Sequence, residues 1–135
     1  MSRIPVGATG TSSLLVGSQQ LASVFKDPLL PPVFATPMMV LLMENAALNA
    51  IRGFLEPGET AVGTAVDVVH LAATPVGHRV HANAEVIAVD GRRISFRVSA
   101  RDEIEEIGRG THERIVVQLS KFDERLAEKA RPGGV

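Results

Sequence analysis

The sequence predicts an α+β fold in which one antiparallel sheet wraps a long central helix, and three observations carry that expectation. Met38, Met39, Val40, Leu41, Leu42 and Met43 are consecutive, so on a helix they occupy every side of the first two turns and call for cover all round. Strand-like segments follow between residues 60 and 119, rich in Val, Ile and Thr and alternating at period two. The faces those strands would turn to the helix are mostly alanine and valine, which lets a curved sheet close tightly around it. A single sheet cannot cover a helix completely, so a second copy is expected to supply the missing wall. The chain thus reads as one domain over residues 1–135, with its core at about 11–120, working as a homodimer.

The elements follow in order. Part of TSSLLVGSQQLASVF (11–25) reads as a first strand. KDPLLPPVFATP carries Pro28, Pro31, Pro32 and Pro37, which rules out continuous helix or central strand and predicts a stiff connector or lid. Thr36-Pro37 is a helix start signal, with threonine as the N-cap and proline at the first helical position. The helix runs to about Leu55, where Gly53 and Pro57-Gly58 end it. In TAVGTAVDVVHLAAT (60–74), period two puts Val62, Thr64, Val66, Val68, His70 and Ala72 on one face. HRVHANAEVIAVD (78–90) turns Val80, Ala82, Ala84, Val86 and Ala88 inward, and Asp90-Gly91 marks a hairpin. ISFRVSAR (94–101) does the same with Ile94, Phe96, Val98 and Ala100. A further strand lies in RGTHERIVVQL (109–119), with His112 and Arg114 expected on a solvated or dimer-facing side. KFDERLAEKARPGGV reads as a short amphipathic helix followed by a loose end.

Composition removes several functions. Lys and Arg total 14 against 15 Asp and Glu, so no basic footprint points to nucleic acid. Without cysteine there is no disulfide, thiolate metal site or cysteine nucleophile. MSRIPVGATG lacks the apolar run of a signal peptide, and no stretch reaches the roughly 20 apolar residues of a membrane span. A cytoplasmic protein is the default expectation. His78 and His81 are three apart on a strand and so on opposite faces, a poor geometry for a shared metal. Neither a metal motif nor a glycine-rich phosphate loop is present, so no metal and no separate cofactor are expected.

The puzzle is Glu44, the one carboxylate in the greasy stretch ATPMMVLLMENAALNA. Paired to an arginine across an interface it would be structural; facing a cleft it would do chemistry. Together, ATPMMVLLMENAA, the Gly63 strand leading into VDVVHLAATPVGHRV, and RGTHERIVV resemble the fluoroacetyl-CoA-specific thioesterase-like family of the hotdog fold, over roughly Val33 to Leu119. The most specific part is a threonine, a glutamate eight residues later and a histidine near the end of the next strand: Thr36, Glu44 and His70. The resemblance implies that these three cleave an acyl-CoA thioester, with coenzyme A as part of the substrate. The departure is the lid, where phenylalanines help gate the pocket in the family but KDPLLPPVF offers only Phe34 and, before it, Phe25. Fluoroacetyl selectivity is therefore not implied; general thioester hydrolysis is.

The chemistry suits the residue types. Thr36 brings a hydroxyl that is weak until a base accepts its proton, His70 is an imidazole able to act near neutral pH, and Glu44 can steady the imidazolium or activate water. Eight helical residues separate Thr36 from Glu44 by about 12 Å of rise and roughly 80° of rotation, so the two cannot bond within one chain. Either His70 and substrate lie between them, or the glutamate serves the other protomer. Substrate contacts are expected from Gly63, which lets a ligand approach the strand closely, and from Phe34, Met39 and Arg114. The first free N–H groups of the helix, on Met38 and Met39, are expected to face a developing oxyanion. Each residue also has a plain role open to it: Thr36 as a cap, Glu44 as a paired acid, His70 as a core histidine. Two other functions stay open on this scaffold, a non-catalytic acyl-CoA binding or sensing protein and an enoyl-CoA hydratase-like enzyme.

Overall fold

The computed structural model describes residues 3–132, so the last residues of the expected loose end, 133–135, lie outside the described residues. Strands β1 (Thr9–Leu15), β2 (Glu59–His70), β3 (Arg79–Asp90), β4 (Arg93–Arg101) and β5 (Glu106–Gln118) form one sheet in the order β1-β3-β4-β5-β2. Every neighbouring pair is antiparallel. A short helix α1 (Ala22–Phe25) precedes the long α2 (Thr36–Ile51), and α3 (Leu119–Ala130) closes the chain. Among the described residues no helix is long and apolar enough to cross a membrane.

Helix α2 buries Met39, Leu42, Met43, Ala46, Ala47, Ala50 and Ile51, which recur at the three- and four-residue spacing of one helical face. The sheet curls over that face, with Val80, Ala82, Ala84, Val86, Ile94, Phe96, Val98 and Ala100 buried against it as the alternation predicts. As expected of a single sheet, one chain leaves part of the helix uncovered. Leu41 keeps 44% of its surface exposed, Asn45 is exposed, and Glu44 is half-buried. A single five-stranded sheet reaches only one side of the rod.

The helix start also differs from its expected form. Ala35, not Thr36, is the N-cap; Thr36 takes the first helical position, and no side chain caps the end. The N–H groups of Met38 and Met39 both donate to the Ala35 carbonyl, at 3.0 and 3.2 Å. They are satisfied by the chain itself and so do not wait for a substrate oxygen.

Two bulges shift the strand phases. The β2–β5 register slips between Gly63 and Ala65, so Ala61 points inward before the bulge, and Val68 and His70 turn toward the interior after it. Thr64 and Val66, placed on the same face as His70 by simple alternation, are exposed. The β3–β4 register slips between Val86 and Ala88, so Ala88 is exposed and Val89 packs on the core instead. One extra residue in a strand exchanges the two faces beyond it.

The proline-rich connector is a loop pinned at its neck. Leu21 and Phe34 form an isolated bridge, Ala22 N–H donates to Val33 O at 2.7 Å, and Ala35 N–H donates to Gln20 O at 2.9 Å. Below the neck, Phe34 N–H donates to Thr74 O at 2.8 Å, and the Thr74 hydroxyl donates to Asp102 Oδ2 at 2.8 Å. Asp102 in turn accepts from the N–H groups of Ile104 and Glu105. The residues that lead into α2 are thereby tied to the β2–β3 and β4–β5 connections, which fixes where Thr36 begins its helix.

Candidate active site

Thr36 and His70 meet although 34 residues separate them: Thr36 Oγ1 lies 2.7 Å from His70 Nδ1. The threonine stands at the exposed start of α2, and the histidine is the last residue of β2. Since Thr36 caps nothing, its hydroxyl is committed to the imidazole. Burial pushes the His70 pKa below its ordinary 6.5, against the opposing pull of the Ala72 backbone, so the ring is neutral at pH 7. His70 Nε2 is buried and has no hydrogen-bond partner among the described residues.

This pair sits in an open groove of about 380 Å³ between the connector loop and the end of β2. Leu30, Pro31 and Val33 form the loop wall, Phe34 the floor, and Leu71 to Ala73 the opposite wall, with Lys26 at the rim. Phe34 is almost fully buried, whereas Phe25 is 53% exposed and is not among the groove-lining residues. Apart from Phe34 in the floor, the side chains that the loop brings to the groove are thus aliphatic or cationic rather than aromatic.

A second cluster forms further along α2, around Gly63. A Cβ placed on Gly63 would lie 3.0 Å from Glu44 Oε2, 3.3 Å from His112 Cε1 and 3.7 Å from Arg114 Nη1, so those three side chains converge on a strand surface kept bare by glycine. Glu44 makes no hydrogen bond or ion pair among the described residues. Burial works against the charge on the Arg114 guanidinium, and the facing Glu44 carboxylate opposes that effect. The glutamate is therefore not locked to an arginine.

For His112 and Arg114, expected on a solvated or dimer-facing side, the solvated alternative does not hold. Rather than facing solvent, they are only 3% and 9% exposed. Alternation puts them on one face of β5, but that face is the inner one, shared with Val116. Arg114 Nη2 donates to the Ala61 carbonyl at 2.7 Å and Nη1 to His112 Nε2 at 3.1 Å, while Nε has no partner among the described residues. Of the other substrate-contact candidates, Met39 is fully buried in the core against Gly108, whereas Phe34 lines the groove beneath Thr36 and His70. Thr36 and His70 come together, then, and Glu44, Gly63 and Arg114 come together, as two clusters of one chain. His112 and Lys26 were not singled out by the sequence, although the H-x-R spacing in THERIV did signal a shared face for His112 and Arg114.

Comparison with known proteins gives a consistent answer. The pattern of the fluoroacetyl-CoA-specific thioesterase family matches residues 16–120. A fluoroacetyl-CoA thioesterase from Streptantibioticus cattleyicolor is 52% identical over 103 residues, covering 76% of this chain and 74% of that protein. Among solved structures, the fluoroacetyl-CoA thioesterase FlK superposes with a TM-score of 0.88 at 43% identity, over 94% of this chain and 98% of that one. A thioesterase superfamily member from Thermus thermophilus superposes with a TM-score of 0.86 at 32% identity, over 96% and 97% of the two chains. At 23% identity, a hot-dog-like protein from Thermanaerovibrio acidaminovorans shares the fold with a TM-score of 0.85, over 96% of each chain.

Proposed function

The chain belongs to the fluoroacetyl-CoA-specific thioesterase family, and from that membership we propose that it hydrolyses short acyl-CoA thioesters with Thr36 as nucleophile and His70 as base. The observation that carries the assignment is the 2.7 Å contact between Thr36 Oγ1 and His70 Nδ1 at the mouth of the groove. With the ring proton on Nε2, the hydroxyl donates to Nδ1. As Oγ1 attacks the thioester carbonyl carbon, its proton passes to Nδ1. Collapse of the tetrahedral adduct expels the coenzyme A thiolate, which takes that proton and leaves an acyl-threonine. Water then attacks the ester and His70 takes one of its protons; collapse passes that proton to Thr36 Oγ1, and the released acid loses the other to solvent as the carboxylate departs.

Glu44 belongs to the same reaction in this reading, but through a homodimer. Within one chain it stands two turns along α2 from Thr36, and the uncovered side of the helix, with Leu41 exposed, is the surface a second copy would cover. Glu44 of the opposite protomer would then face His70 and steady the imidazolium. Gly63 and Arg114, grouped around Glu44, would meet the acyl end of the substrate. The groove offers Leu30 and Pro31 in place of aromatic gates, which supports a short acyl group without selection for fluorine.

Incubation with a panel of acyl-CoAs while following free thiol tests the function. Release from short acyl-CoAs is expected; tight binding without release, or water addition to an enoyl-CoA, would overturn it. Glu44→Gln is expected to lose most of the activity, and mixing it with Thr36→Ala chains is expected to restore part, since one of the two sites in a mixed dimer then has every group. No recovery on mixing would place the glutamate in its own protomer's site. The pH dependence follows from the burial of His70: the neutral base is needed, so the acid limb of kcat/KM is expected below pH 6.5. A limb above that value would contradict the burial of this imidazole.

A further inference from the structure

We propose that His112 is a positioning residue, whose imidazole holds the Arg114 guanidinium beside Gly63 and facing Glu44, so that the cation meets the acyl end of the substrate in one orientation. The inference rests on the substrate contact proposed above for Arg114 and goes beyond it by naming what aligns that contact.

The geometry leaves His112 a single protonation state. Its Nδ1 lies 2.8 Å from the Ala65 carbonyl, which can only accept, so Nδ1 carries the proton. Its Nε2 lies 3.1 Å from Arg114 Nη1, which can only donate, so Nε2 offers a lone pair. A proton on Nε2 would aim an N–H at an N–H and set a second positive charge beside the first. Burial keeps the ring neutral at pH 7, the Ala65 bond opposes this, the Arg114 charge reinforces it, and Glu44 and Glu113 oppose it. Phe96 stacks on the ring with centroids 5.7 Å apart, so the imidazole is held on its flat side as well as its edges.

Arg114 needs such a holder. Its long side chain is buried, its Nη2 is fixed by the Ala61 carbonyl, and its Nε stays without a partner among the described residues. Ala61 and Ala65 bracket the β2 bulge, so the irregularity at Gly63 presents one carbonyl to the arginine and the other to the histidine that aligns it. Both acceptors of the guanidinium are neutral. Its charge is therefore not cancelled by a contacting carboxylate, and it can still bind a developing negative charge on the substrate.

A double-mutant cycle on the whole chain tests the proposal, with kcat/KM for acetyl-CoA as the readout. His112→Asn keeps a donor near the Ala65 carbonyl but cannot reach Arg114, and it is expected to lose about ten-fold or more. His112→Gln, whose amide oxygen extends to the position of Nε2, is expected to recover part of that loss. In an Arg114→Ala background, His112→Asn is expected to cost nothing further, because there is no guanidinium left to align. A loss of equal size with and without Arg114 would make His112 a purely structural residue and overturn the proposal, as would a wild-type rate for His112→Asn. If Arg114→Ala itself keeps the wild-type rate, the substrate contact falls and the positioning claim with it. An impaired Arg114→Ala beside an unimpaired His112→Asn sinks the positioning claim alone.

Discussion

Thr36→Ala is expected to lower kcat/KM for short acyl-CoA hydrolysis by about 10²- to 10⁴-fold while leaving the melting temperature nearly unchanged. The two halves of that expectation come from one fact: the Thr36 hydroxyl supports no backbone group at the helix start, and its partner is the His70 imidazole. An ordinary capping threonine would behave the opposite way, costing about 1 kcal/mol of stability on truncation and nothing in rate. Thr36→Ser keeps a hydroxyl at the same atom and is expected to retain much of the activity. Parallel measurement of thiol release and thermal unfolding for the two variants separates these outcomes. A stable, fully active alanine variant would remove the nucleophile from this account.

Gly10→Ala is expected to destabilise the protein by about 3 kcal/mol, at the upper end for an overpacked site, which lowers the melting temperature by roughly 10 °C. Gly10 lies in β1 where that strand crosses α2, and a Cβ there would collide with the backbone of Ala46 and Ala50, approaching Ala50 Cα to 2.8 Å. Those neighbours are main-chain atoms of a packed helix, so no side chain can swing aside to make room. Ala46, Ala47 and Ala50 are the small residues on the helix that let the strand come so near, and the glycine completes the approach. Gly53→Ala serves as the control, since a Cβ at Gly53 meets nothing within 4 Å. A Gly10→Ala protein that melts like the wild type would mean that β1 does not sit this close to the helix.

The elements that sequence periodicity revealed are those whose pattern runs unbroken. Helix α2 repeats its buried face from Met39 to Ile51, and β4 alternates cleanly from Ile94 to Ala100; both were legible. Bulges were not, because the extra residue near Thr64 or Ile87 looks like any other strand residue, and its effect is a change of phase that only the partner strand exposes. Alternation placed His112 and Arg114 on one face but could not say which, and their polarity suggested water. The carbonyls of Ala65 and Ala61 that make burial tolerable come from a different strand, 47 and 53 residues away, beyond the reach of local patterning. Strand order was hidden for a related reason. Gly91, with φ +60°, makes the tight turn from β3 to β4, whereas the longer connection from His70 to Arg79 lets β2 pair with β5 instead of β3.

At the candidate site, the resemblance singled out Thr36, Glu44 and His70, and the spacing argument that Thr36 and Glu44 cannot touch within a chain agrees with their separate clusters. The oxyanion role expected of Met38 and Met39 failed because the choice of cap shifted by one residue. With Ala35 as the N-cap, its carbonyl takes both N–H groups, and the threonine side chain is released for the histidine.

Thr36 and His70 act as one unit in the proposed reaction, and kcat/KM of the Thr36→Ala/His70→Ala double variant tests this most directly. If the hydroxyl has no function without the imidazole that takes its proton, the double variant is expected to be no slower than the slower of the two single variants. Losses that multiply would show two groups working independently, and the 2.7 Å contact would then be no part of the chemistry.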